Sequence, residues 1–264
     1  MIHFGFNTPL TCGRQGTAKA MTVLLAAAIL CGCGTPPNQS ETKPVAEATA
    51  TPRPLKEKVL TAEEQRLLTP DAIIASLKEG NQRFAAGDLT VRDHTALVRQ
   101  AAAGQFPKAV ILSCLDSRIP VEDVFDKGIG DVFVARVAGN IVNEDILGSM
   151  EFGCKVAGAK VIMVLGHKHC GAVKGAIDDV KLGNLTALLA RIKPAVRAMP
   201  KFEGEASSKN PAYVDAVAQT NVRLTKQEIR DRSPILKEME AKGELKVVGA
   251  YYDLDSGRVQ FLDE

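Results

Sequence analysis

Tryptophan is absent from this 264-residue chain, and aromatic residues make up only 5% of it. Its 33 Lys and Arg stand against 31 Asp and Glu, a formal net charge of +2 with no long run of one sign. A nucleic-acid binder presents a clustered basic face, so that class is disfavoured. The apolar stretch Met21–Leu30 is too short to span a bilayer as a helix. Cysteine is also scarce where it would matter for disulfides. Of Cys12, Cys31, Cys33, Cys114, Cys154 and Cys170, only the last three fall beyond the N-terminal segment. An odd number is a poor disulfide framework, and no Cys-x-x-Cys occurs there, which disfavours a thioredoxin-like redox role.

What is present begins with a targeting pattern over residues 1–33. Arg14 and Lys19 supply a positive region ahead of Met21–Leu30. The segment ends in Leu30-Cys31-Gly32-Cys33, which resembles a bacterial lipobox, with leucine at −3, a small residue at −1 and Cys33 as the lipidated cysteine. Cys31 fits less well, because bulky Leu30 precedes it. The alternative is an ordinary cleaved signal with two incidental cysteines. The lipobox implies a chain on the periplasmic side of a bacterial membrane, touching that membrane through a lipid anchor only. Without lipid, the chain is soluble in the periplasm. Residues 34–58 are rich in Thr, Pro, Ala and Glu, the composition of a flexible tether. Residues 59–264 are expected to form one domain.

Two helices open that domain as an N-terminal arm. Thr61-Ala62-Glu63-Glu64 has the spacing of a capping box, and Thr69-Pro70-Asp71 supplies a cap, a proline at the first helical position and an acid in the first turn. Ile73, Ile74, Leu77 and Phe84 follow at helical spacing until Gly87. The pattern then changes to short continuous apolar runs, expected of strands covered on both faces: Ala109–Leu112, Val132–Val137, Val161–Leu165 and Leu245–Tyr252. A helix opened by Asn143, with Leu147, Met150 and Cys154 on one face, lies between the second and third. After the third come Leu185, Leu188, Leu189, Ile192 and Val196, then helices at Asn210-Pro211 and Ser233-Pro234. Strands alternating with helices predict an α/β fold: a mainly parallel sheet of about four strands flanked by helices. Asp255-Ser256-Gly257 is a turn signal after which Arg258–Leu262 is expected to return as an edge strand.

Two motifs sit at equivalent places in this pattern. Cys114-Leu115-Asp116-Ser117-Arg118 follows the first strand, and Gly166-His167-Lys168-His169-Cys170-Gly171 follows the third. Ligands of an open parallel sheet bind beyond the carboxyl ends of its strands, so Cys114, His167 and Cys170 are expected to meet. Thiolate and imidazole are zinc's preferred ligands, and three protein ligands with one open position is the catalytic arrangement. His169 is expected to point elsewhere, His94 to lie at the surface near a helix start, and Cys154 to pack in the core.

The pair Cys114-x-Asp116-Ser117-Arg118 and Gly166-His167-x-x-Cys170-Gly171 resembles the signature of β-class carbonic anhydrases, over essentially the whole domain. The resemblance implies one Zn²⁺ per subunit held by Cys114, His167 and Cys170. Asp116 is then either a fourth ligand in a closed site or the partner of Arg118 in an open one. Gln105 matches the family's substrate-binding glutamine and Phe133 an aromatic of the substrate pocket. In the family both reach the zinc of a neighbouring subunit, which implies a homodimer or homotetramer. Gly139-Asn140 resembles the segment that follows the second strand. Leu115 stands where the family often has serine, and Lys168-His169 occupies a variable stretch.

The implied function is reversible hydration of CO₂ to bicarbonate by a zinc-bound hydroxide, zinc having lowered the pKa of its water. The fork of Arg118 can hold the Asp116 carboxylate off the metal. One alternative is a related zinc hydrolase acting on carbonyl sulfide or carbon disulfide. Another is a non-catalytic zinc-binding lipoprotein, which would have no use for Asp116, Arg118 or Gln105.

Overall fold

The structure, a computed structural model, describes residues 59–262. The targeting segment 1–33, the tether 34–58 and the lipidation residue Cys33 lie outside the described residues.

The opening arm forms as its capping signals predict. Helix α1 (Ala62–Leu67) carries a complete capping box, with the Thr61 hydroxyl accepting from the Glu64 N–H and the Glu64 carboxylate accepting from the Thr61 N–H. Helix α2 (Pro70–Ala85) is capped by Thr69 and buries Ile73, Ile74 and Leu77. Gly87 follows in the left-handed conformation, φ +69°. Helix α3 (His94–Ala101) starts on an Asp93 cap and leaves His94 exposed.

Strand β1 (Ala109–Ser113) is buried at every position. It is followed by the short helix α4 (Val121–Val124), edge strand β2 (Val132–Arg136) and a 3-10 turn at Ala138–Asn140. Helix α5 (Glu144–Glu151) starts on the Asn143 cap and passes into a π-helical turn, Phe152–Val156. Cys154 is buried as expected, but within that π turn rather than on an α-helical face. Strand β3 (Val161–His167) is wholly buried. Helices α6 (Gly171–Ile177), α7 (Gly183–Arg197), α8 (Pro211–Arg232) and α9 (Pro234–Ala241) lead to strands β4 (Lys246–Tyr252) and β5 (Val259–Leu262). The caps of α8 and α9 are the expected Asn210 and Ser233, each followed by proline.

The sheet order is β2-β1-β3-β4-β5, parallel except for the antiparallel β4–β5 pair. This is the expected α/β architecture, four parallel strands and an edge return. Helix α8 packs along β3 and β4, while α2 packs on α4 and β3. Gly166 in β3 is the point of closest approach. A Cβ there would meet Val222 Cγ2 of α8 at 2.5 Å.

Two differences from the sequence expectation bear on the site. Strand β3 runs two residues further than its apolar run, because Gly166 and His167 continue the ladder against Tyr251 and Tyr252. His167 is therefore the last residue of a strand and not a loop residue. Cys170, also expected in a loop, is the N-cap of α6. No helix among the described residues is long and apolar enough to cross a membrane.

Candidate metal centre

After β1 the chain crosses to β2 on one side, then returns past β1 to β3 on the other. The strand order thus reverses between β1 and β3, the place beyond the carboxyl ends where open parallel sheets bind their ligands. Cys114 follows the last residue of β1, His167 ends β3, and Cys170 lies three residues on. Their ligand atoms lie within 4.8 Å of one another, the cluster of this kind found among the described residues. All three side chains are buried: Cys114 is 5% exposed, Cys170 1% and His167 0%.

The donor set fits zinc. The two sulfurs are 4.0 Å apart. Zn–S bonds of about 2.3 Å at a tetrahedral angle place two sulfurs roughly 3.8 Å apart. His167 Nδ1 lies 2.9 Å from the Lys168 carbonyl oxygen, so it donates there and carries the ring proton. That leaves Nε2 with a lone pair. It is buried and has no hydrogen-bond partner, an arrangement that a metal ligand explains and a structural histidine does not.

The thiols are electrostatically distinct. Cys114 is pushed well down, chiefly because its sulfur accepts from the Cys170 thiol, with help from the Gly139 and Asp116 N–H groups. The Gly139 N–H lies 3.3 Å from that sulfur. Cys170 is pushed up, first by its donation to Cys114 and then by burial. A dication would replace the shared proton and hold both as thiolates.

Asp116 faces the cluster without joining it. Arg118 donates from Nε to Oδ1 at 2.9 Å and from Nη2 to Oδ2 at 2.6 Å, and its backbone N–H also reaches Oδ1 at 3.0 Å. Those bonds hold the carboxyl at about 2, well below the usual range. Oδ2 is 4.0 Å from His167 Nε2. Asp116 thus rests on Arg118, with the carboxylate beside the place a metal would take.

Of the remaining candidates, Gln105 is exposed on the connection between α3 and β1. Phe133 lies on β2 and lines a cleft of about 720 Å³ with Val110, Ile146 and Phe152, and no member of the Cys–His cluster borders it. Within one chain neither residue is brought to the cluster. His169 turns away from it and faces Asp255, its Nε2 3.9 Å from Oδ1. Arg136 has a role that sequence reasoning missed: it donates to the backbone carbonyls of Cys114, at 3.0 Å, and of Asp116, bracing the loop between the ligand and the carboxylate. Asn221 of α8 donates to the Gly139 carbonyl at 2.8 Å and so fixes the turn whose N–H meets the Cys114 sulfur.

Residues 109–259 match the family model described as carbonic anhydrase, more than half of the chain. The chain belongs to the carbonic anhydrase family. Carbonic anhydrase 2 of Mycobacterium tuberculosis is 38% identical over 203 residues, covering 74% of this chain and 93% of that protein. The carbonic anhydrase of Mycolicibacterium smegmatis is 33% identical over 198 residues, covering 72% and 92%. Among solved structures, a tetrameric β-carbonic anhydrase of Sordaria macrospora superposes with TM-score 0.56 at 25% identity, over 74% of this chain and 93% of that one. The Coccomyxa β-carbonic anhydrase in complex with acetazolamide gives TM-score 0.58 at 25% identity, over 73% and 85%. The α/β fold with its mainly parallel five-stranded sheet is thus that of the β-class.

Proposed function

We propose that this protein is a zinc-dependent β-carbonic anhydrase catalysing the reversible hydration of CO₂ to bicarbonate and a proton. The observation that carries the reading is the convergence of two sulfurs and an unpartnered imidazole nitrogen beside a carboxylate held aside by an arginine fork. Bound by Cys114, His167 and Cys170, zinc supplies a Lewis acid that acidifies water.

The rest is the work of the chain's own groups. The Lys168 carbonyl keeps the proton of His167 on Nδ1, so Nε2 stays available as a ligand. Arg118 keeps Asp116 ionised and bound to its own fork, beside the place a metal would take and not in it. Asp116 Oδ2 then serves as a hydrogen-bond acceptor that orients the attacking oxygen. Storage of zinc needs neither residue, which favours catalysis over a passive metal carrier.

Gln105 and Phe133 are assigned to substrate, acting at the site of a second subunit in a homodimer or a tetramer. Support comes from their place in the resemblance and from the apolar cleft beside edge strand β2. The lipobox-like Leu30-Cys31-Gly32-Cys33 supports a lipid anchor on Cys33 and a periplasmic location. Metabolic labelling with a fatty acid, lost in Cys33→Ala, tests the anchor.

The function is tested by CO₂ hydration followed with a pH indicator on protein of measured zinc content. Turnover that scales with zinc and vanishes in Cys114→Ser is expected. A protein holding one zinc per chain with no turnover above buffer would sink the reading.

A further inference from the structure

Lys168 and His169 separate two of the three metal-ligand candidates, His167 and Cys170. His169 sits in the left-handed region at φ +57°, where a residue other than glycine is strained. Such a conformation persists only if something outside the loop holds it. What holds it lies on the turn between β4 and β5. The Lys168 N–H donates to the Tyr252 carbonyl at 2.9 Å, carrying the β3–β4 ladder one residue beyond His167. The Lys168 ammonium donates to Asp255 Oδ2 at 2.7 Å and lies 3.5 Å from Asp253 Oδ1.

That turn is closed on itself. Asp253 accepts from the Asp255 N–H at 3.1 Å and from the Ser256 hydroxyl at 2.7 Å. Its own N–H donates to the Arg258 carbonyl at 2.8 Å, and the Gly257 N–H donates to the Asp253 carbonyl at 2.9 Å. The Asp253 carboxylate is thus held within the turn, and the turn backbone presents Asp255 beside it to Lys168.

Since the Lys168 carbonyl receives the His167 Nδ1 proton, whatever fixes the Lys168 peptide also fixes the imidazole's orientation and tautomer. We infer that Lys168 and Asp255 are positioning residues, forming a brace by which the β4–β5 turn holds the His167 ring in its metal-binding orientation. The inference rests on the zinc reading above for its consequence, but the brace itself acts on the ring with or without metal. The pair is partly exposed, so it adds little to global stability, and its effect is local.

The test compares wild type with Lys168→Met, Asp255→Asn, their double variant and Lys168→Arg in the full chain. The first readout is the NMR resonance of the His167 Nδ1–H, assigned by its loss in His167→Gln. It is expected to be slow to exchange in wild type and Lys168→Arg, and broadened in the three charge-removing variants. The second is transfer of zinc from loaded protein to a chromophoric chelator. Roughly three- to tenfold faster release is expected in each charge-removing variant, with the double variant no faster than either single one, below the effect usual for a group bonded directly to a ligand. Unchanged resonance and release rates within twofold of wild type would overturn the brace. A wild type that takes up no zinc, yet loses the resonance in Lys168→Met, would leave the brace standing and remove the zinc reading.

Discussion

Arg118 grips both carboxylate oxygens of Asp116, at 2.9 and 2.6 Å, and Asp116 Oδ2 stops 4.0 Å from His167 Nε2. Two planar groups meet here edge to edge, which a lysine, a point charge on a flexible stem, cannot reproduce. Arg118→Lys is expected to release Asp116 toward the metal. CO₂ hydration at neutral pH should then fall by roughly 10- to 100-fold, while zinc content stays at one per chain. Stopped-flow assays paired with metal analysis check this. Full activity in Arg118→Lys would show that the fork is not what keeps the carboxylate away.

Metal removal has a stability consequence. Without a cation, His167 Nε2 is a buried acceptor with no partner. A ligand that binds only the folded state stabilises it by about 4 kcal/mol when present at 1,000 times its dissociation constant. Chelation is therefore expected to lower the melting temperature by several degrees, and added zinc to restore it. His167→Ala should abolish the zinc-dependent part of that shift, measured by calorimetry.

The pH dependence of turnover should not come from Asp116. Arg118 holds its carboxyl at about 2, so it is ionised at any pH the enzyme meets. Two thiolates neutralise a dication, and a less electron-poor metal acidifies water less than an all-imidazole site. Activity is expected to rise toward alkaline pH, recorded as kcat/KM between pH 6 and 9. A profile flat over that range counts against this ligand set.

The parts of this arrangement that were legible in the sequence are those carried by unbroken local patterns. Ala109–Leu112 and Val161–Leu165 announce buried strands because every residue is apolar, and the cysteine and histidine motifs stand close behind them. The strand status of His167 was not legible, since Gly166 and His167 have no apolar character and are held by pairing with β4. Helix α6 escaped notice because Gly171 and Gly175 weaken its helical signal. Arg136 reads as a solvated charge at the end of an edge strand, and its bonds to the Cys114 and Asp116 carbonyls reach across 22 and 20 residues. Lys168 and Asp255 are 87 residues apart. Contacts over such separations are set by topology, and only the metal ligands carry a motif strong enough to foretell one.

Gly80 in α2 makes the strictest packing demand of the helical arm. A Cβ at this buried position would sit 1.8 Å from the Phe125 carbonyl oxygen, a backbone atom that cannot swing aside. Its neighbour Asn81 donates to the Val124 carbonyl at 3.1 Å and the Gly257 carbonyl at 2.9 Å, fixing α2 against α4 and the β4–β5 turn. Gly80→Ala, which would help an exposed helix, is expected here to destabilise by about 3 kcal/mol or more. Chemical denaturation measures it, and a variant as stable as wild type would mean that α2 is free to move away from α4.

Asp126 gives the fold its own acid limit. Burial disfavours its charge, but bonds from Arg83, Thr90 and Arg92 outweigh that and hold it at about 2, below the usual 3.8. Its side chain is fully enclosed, and the Thr90 hydroxyl and Arg92 Nη2 each reach its carboxylate at 2.7 Å. A group whose folded value is depressed contributes its full stability above the unfolded value and loses it as pH falls through the folded one. The contribution from Asp126 is therefore complete above about pH 4 and gone near pH 2. Asp126→Asn keeps the shape and suits the residue's left-handed backbone, φ 49°, but leaves two guanidinium groups without their acid. The variant is expected to be less stable than wild type by about 3 kcal/mol at pH 7. That gap should close as both are titrated from pH 4 to pH 2, because wild type then loses the same charge. Urea midpoints measured across that interval decide it, and a gap that stays constant to pH 2 would show that the ionised carboxylate is not what holds Arg83 and Arg92 in place.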